Sequence, residues 1–196
     1  MKGRQADPHY NMSSPEHAAA TEFYCATGAR KNEYRMLNLN EQKKYIEQAK
    51  TQYGIDIKTR DGMCPNVYPV IGESGLVEKV LVLHAKHGKS NLSEILPEHR
   101  EMVTNVYRGR NDKGQTKYID MCKPADHCNV HACRRQYAQN LYKAFARDVT
   151  KLSAKDVYAT RDGSGRHFDK AALARVSESL GHRKNDLFDT VHNYMR

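Results

Sequence analysis

The residues able to do chemistry in this chain are a scatter of cations and one late tyrosine. His131 and Arg134 are spaced i, i+3 at the start of a segment with helical periodicity, so an imidazole and a guanidinium share one face. A helix N-terminus favours an anion, and the two side chains together make a phosphate clamp. Arg30 follows Thr27-Gly28-Ala29, with Glu33 three residues on and able to orient it by an ion pair. Lys86 and Lys89 flank Gly88 in a predicted hairpin turn, where a lysine can reach into a groove and hand a proton to a leaving oxygen. Near the end, Leu180-Gly181-His182-Arg183 closes one helix and Tyr194 sits on the next. A tyrosine has a free pKa of about 10, so as a nucleophile it needs a base or cationic surroundings.

Taken alone, each signal has an ordinary explanation. His131 and Arg134 can be surface residues near a helix start, and Arg30 a solvated helix end. Lys86 can be a solubilising turn lysine. His182, with Arg183 and Lys184, can complement a helix dipole, and Tyr194 can pack on the core with its hydroxyl in water.

The elements that must hold these residues follow from pattern. Ser14-Pro15-Glu16 opens a helix with a capping serine and a first-turn proline, and Gly28 stops it. A second helix is predicted from about Arg30 to Leu37, and a polar surface helix from Asn40 to Tyr53, ended by Gly54. From Ile55 to about Leu96 the period changes to that of strands. Val80-Leu81-Val82-Leu83 and Leu92 to Leu96 form an antiparallel hairpin with Gly88 in its turn, and Asp61-Gly62 and Gly72 to Gly75 mark further turns. A helix follows Pro97 to about Arg108, then a turn-rich loop from Arg110 to Thr116. Asn129 caps a long helix with the stripe Val130, Cys133, Tyr137, Leu141 and Phe145. After a loop from Thr160 to Arg166, a helix from Asp169 to Leu180 turns Ala172, Leu173, Val176 and Leu180 inward, and a last helix holds Leu187, Phe188 and Val191.

The bulk numbers suit one domain with a polyanionic partner. The chain has 196 residues, 39% of them apolar, and a formal net charge of +9. Most of that excess falls after residue 100. The mean hydropathy of −0.84 and the absence of a long apolar run predict a soluble, cytoplasmic protein with no membrane partner. Met1 to Asp7 lacks the apolar segment of a secretory signal, so the five cysteines are expected to be reduced thiols.

In their order along the chain, Thr27-Gly28-Ala29-Arg30-x-x-Glu33, Lys86, His131-x-x-Arg134, Leu180-Gly181-His182 and Tyr194 resemble the catalytic domain of the tyrosine recombinase (phage integrase) family. The resemblance runs from about Pro15 to Tyr194 and is greatest to integrases of mobile elements. It implies an α+β, mainly helical catalytic domain with a small antiparallel β-sheet over residues 15–196. Residues 1–14 would be a flexible segment, and the family's N-terminal DNA-gripping domain is expected to be absent. By resemblance, Arg30 and Arg134 hold the non-bridging oxygens of the scissile phosphate and His182 adds a hydrogen bond. His131 assists as general base, Lys86 protonates the leaving 5′-oxygen, Tyr194 forms a 3′-phosphotyrosyl link, and Glu33 supports Arg30. The implied partner is double-stranded DNA, with a homotetramer on DNA in the full-length enzyme. A covalent intermediate conserves bond energy for rejoining, so no cofactor or metal is expected. Arg134→Ala is expected to fold normally and lose cleavage.

The chain departs from the family pattern in places. His182 and Tyr194 are 194 − 182 = 12 residues apart, a long spacing, and Asn40 to Gly75 reads as an insertion. Only Met195 and Arg196 follow the tyrosine, which reads as a fragment of a longer enzyme or a naturally reduced member. A different class of function stays open. Cys122, His127, Cys128, His131 and Cys133 are the residue types zinc prefers, so a non-catalytic DNA-binding module stabilised by zinc is the alternative. Against it, there is no Cys-x-x-Cys pair, and His131 and Cys133 are expected on different helix faces.

Overall fold

A computed structural model describes residues 15–123, 128–160, 163–182 and 186–195. The 1–14 segment, with the Ser14 cap, lies outside them, as do His127, Arg183 and Lys184. Roughly half the chain is helical, and the strands form small antiparallel sheets, so the class is α+β.

Helix α1 (Pro15–Thr27) ends where Gly28 turns left-handed at φ 63°, its N–H closing back on the Tyr24 carbonyl. No other residue fits there: a Cβ would lie 2.3 Å from the Tyr137 ring. The helix expected over Arg30 to Leu37 does not form. A 3₁₀ turn (Lys31–Glu33) gives way to strand β1 (Met36–Leu37), which pairs with β2 (Cys64–Pro65). The reason is tertiary: the Arg35 carbonyl accepts from the Asn66 N–H, and the segment is drawn into pairing almost thirty residues downstream. Helix α2 (Leu39–Tyr53) is capped reciprocally by Asn38 and Glu41 and ended by a left-handed Gly54.

The main sheet runs β3 (Val67–Ile71), β4 (Val77–Val82), β5 (Asn91–Glu94), all antiparallel. Pro69 is tolerated because β3 is an edge strand. Helix α3 (Arg100–Arg108) and the short α4 (Tyr118–Met121) follow. Then comes α5 (Val130–Phe145), whose N-terminus is capped by the Asn129 side chain accepting from the Ala132 N–H. The loop from Thr160 to Arg166 proves to join a hairpin, β6 (Val157–Ala159) and β7 (His167–Asp169), missed in sequence because each strand has three residues. Asp169 caps α6 (Lys170–Ser179), and α7 (Leu187–Tyr194) closes the fold.

Three apolar clusters make the core. One joins α1, the sheet, α3, α4 and the start of α5; one joins α5, α6 and α7; the third seats α2 against the sheet's other face. Buried α5 residues enter the first two clusters, so α5 is the element the helical part is assembled on. Phe188, expected with the last helix's apolar set, is instead 61% exposed and stacks on His192. Among the described residues no helix is long and apolar enough to cross a membrane.

Candidate active site

The seven residues singled out in sequence all line one cleft of about 890 Å³: Arg30, Glu33, Lys86, His131, Arg134, His182 and Tyr194. They come from the α1–β1 turn, the β4–β5 turn, the first turn of α5, the corner after α6, and the end of α7. Lys89 does not line the cleft, which separates the two hairpin lysines.

Arg134 is the centre. It is 2% exposed, and its terminal nitrogens donate to the carbonyls of Gly28 and Leu180. Those carbonyls lie at the C-terminal ends of α1 and α6, where the helix dipoles are negative. A buried guanidinium is thus held by backbone oxygens rather than by a carboxylate. Its Nε donates to Tyr194 Oη at 3.2 Å. One N–H on each terminal nitrogen is left over for a ligand. The side chain ties two helix ends together, and this placement argues against the sequence-based expectation that Arg134→Ala folds normally.

Tyr194 is 5% exposed, docked with its ring beneath the Arg134 guanidinium and between two imidazoles. Ring centroids lie 6.1 Å away for His131 and 5.7 Å for His182. Gln139 donates to the Tyr194 carbonyl and fixes the end of α7. His182 is held below the ordinary imidazole pKa, first by burial and then by the Arg134 and Arg30 charges; Asp186 and Asp189 oppose this more weakly. Its Nδ1 is buried and has no hydrogen-bond partner among the described residues. The corner carrying it requires Gly181, at φ 70°, packed on Asn91. Asn91 and Ser93 on β5 both donate to the Ser179 carbonyl, fastening the end of α6 to the sheet.

Arg30 is oriented by Glu33 through both carboxylate oxygens, one accepting from the Arg30 backbone N–H at 2.7 Å and one from its Nη1 at 3.0 Å. Glu33 is buried, and its backbone carbonyl accepts from the Asn66 amide. Asn66 also accepts from the His84 N–H at 2.8 Å and donates to the His84 carbonyl. This fully buried asparagine therefore couples the Arg30 turn to the strand that leads to Lys86. Lys86 itself is exposed, on a 3₁₀ turn held by Gln48 donating to the Gly88 carbonyl.

Asn66, Arg35 and His84 escaped the sequence reading. Asn66 sits beside Pro65 like any loop asparagine, and only its fold-wide partners reveal it. Arg35 and His84 do carry a signal, as a further guanidinium and a further imidazole next to Arg30 and Lys86 in the chain.

Of the proposed zinc residues, His131 and Cys133 point apart. His131 lines the cleft, whereas Cys133 is fully buried in the core alongside Cys25. Hydrogen bonding between Cys128 and Cys133 pulls the Cys128 thiol down and pushes Cys133 up. Among the described residues no three His, Cys, Asp or Glu side chains are gathered to hold a metal.

Chemically, the seven residues singled out in sequence bring to the cleft a docked phenol, two guanidiniums, two imidazoles, an exposed ammonium and the carboxylate of Glu33. Comparison with protein-family models, with curated proteins and with solved structures finds no match.

Proposed function

We propose that this cleft breaks and rejoins DNA strands through a 3′-phosphotyrosine on Tyr194, in the manner of the catalytic domain of a tyrosine recombinase. The observation carrying the proposal is that Arg30, Lys86, His131, Arg134, His182 and Tyr194 line a single cleft although they are spread from one end of the chain to the other. A structural explanation for each residue separately does not require them to meet.

Tyr194 Oη attacks phosphorus and the P–O5′ bond breaks. The phenolic proton passes to His131, and the leaving 5′-oxygen takes a proton from Lys86. Negative charge builds on the non-bridging oxygens, where Arg30, the spare N–H groups of Arg134, and His182 receive it. The Arg134 Nε–H already lies on the attacking oxygen, so that charge is in place before reaction. In the reverse step the 5′-hydroxyl attacks the phosphotyrosine, so the phosphodiester bond energy is kept.

The test is a nicked suicide duplex, from which the 5′-hydroxyl fragment diffuses away and traps the covalent adduct. Wild-type protein should form an adduct and Tyr194→Phe none. Equal trapping by both proteins would remove Tyr194 as the nucleophile.

A further inference from the structure

The cleft is larger than one phosphate needs, and it carries further hydrogen-bond donors, two of them cationic. Lys31, Arg35, His84 and His87 also line it. Three of its features are specific. The Arg35 guanidinium is fixed between Glu41 Oε1 at 2.7 Å and His84 Nδ1 at 2.7 Å. Arg35 can only donate, so Nδ1 must accept and the His84 proton is on Nε2. The His84 ring lies flat on Tyr45, 4.2 Å between centroids and 10° between planes.

His84 is thus a clamped imidazole with one N–H, and Nε2 makes no hydrogen bond among the described residues. An accepting Nδ1 means a neutral ring, and burial and the Arg35 charge lower its pKa in the same sense. His87 beside it holds a left-handed backbone at φ 64°, uncommon for a residue with a side chain, and is exposed at the cleft edge.

We propose that Arg35 and the Nε2–H of His84 form a second phosphate subsite, which takes a phosphodiester neighbouring the one held by Arg30 and Arg134. This rests on the strand-cleavage reading for the identity of the strand, though not for the site itself. A charged donor paired with a neutral one recognises phosphate without base preference. Its place beside Lys86 would fix the backbone on the side of the leaving oxygen.

The experiment is binding of a duplex oligonucleotide across a salt series, in a Tyr194→Phe background so that no covalent step intervenes. Arg35→Gln should weaken binding about tenfold on every sequence and reduce the salt slope by about 1, the loss of one phosphate contact. His84→Phe keeps the ring on Tyr45 and removes the donor. It should weaken binding about threefold with the slope unchanged, as for one neutral hydrogen bond. Should Arg35→Gln fail to fold, His84→Phe carries the test alone. Affinity and slope equal to the parent in both variants would overturn the subsite. A parent that binds no duplex would overturn both proposals. Wild-type protein that binds with the expected slopes but never forms an adduct would overturn strand cleavage and leave the subsite standing.

Discussion

Arg134 is 2% exposed, hydrogen-bonded to two helix ends, and in contact with the proposed nucleophile, whereas Lys86 stands exposed on a short 3₁₀ turn with no ion pair among the described residues. Both face the same cleft. The difference matches the role proposed for each. Charge that must meet a developing oxyanion gains from being fixed in advance in a dry site. A proton donor to a leaving group needs reach and must be able to reload from water. The helical wall is therefore built by burial, and the hairpin wall by position.

Substitution should expose this asymmetry. Arg134→Ala is expected to have the largest effect, because it removes both functions. Two buried carbonyls lose their donors and a cavity opens, which together cost about 3–5 kcal/mol, on the order of 10 °C in midpoint for a chain of this size. Thermal unfolding followed by circular dichroism measures it. Adduct formation should be lost as well. A midpoint unchanged within a degree or two would mean the guanidinium does not tie α1 to α6.

Lys86→Ala should separate the walls. Its midpoint should not move, and cleavage should slow by about 10²–10⁴-fold, the usual worth of a general acid. A duplex whose leaving 5′-oxygen is replaced by sulfur needs no proton, so it should restore most of the lost rate. Lys89→Ala, outside the cleft, should do neither. If the sulfur substrate rescues Lys89→Ala and not Lys86→Ala, the assignments are exchanged.

How far these positions were legible before folding follows the same division. Caps and stripes located α1, α5 and α6, and the turn glycines located the hairpin, because those signals are local in the chain. The Leu180-Gly181-His182 corner was legible for the same reason. The stretch from Arg30 to Leu37 was misread because its pattern permits a helix, while pairing of Met36 with Pro65 forbids one. The burial of Arg134 could not be read at all. An arginine in a helical stripe looks solvated until the ends of two distant helices are seen to meet it. What the sequence hid is therefore the support of the site more than its membership.

Asn66→Ala probes that hidden support. The amide joins the Arg30 turn to the strand leading to Lys86, so removing it leaves the His84 N–H without its acceptor and takes from the Glu33 carbonyl one of its two donors, the other being the Arg35 N–H. A loss of about 1–3 kcal/mol is expected. It should bring a fall in cleavage larger than Lys89→Ala gives and smaller than Lys86→Ala gives. Asn66→Asp keeps the acceptor for His84 N–H and loses the donor, so it should retain part of the stability. Full activity in Asn66→Ala would mean the two walls are positioned independently.

The smallest effect expected is the pH dependence from His182. Its folded pKa lies below the unfolded value of about 6.5, because burial and the Arg134 and Arg30 charges disfavour the imidazolium. The unfolded chain therefore binds more protons in that window, and stability rises with pH there. The contribution is present above about pH 6.5 and is lost as pH falls through the folded pKa. His84 is shifted the same way, so the wild-type curve carries both. Comparing His182→Asn with wild type between pH 4.5 and 7.5 by denaturant midpoint isolates the His182 share. The variant should lose less stability on acidification, with the two curves converging at the acid end relative to their separation near neutrality. A parallel pair of curves would place His182 in water. The corner would then be a solvated helix end rather than part of the buried wall around Arg134.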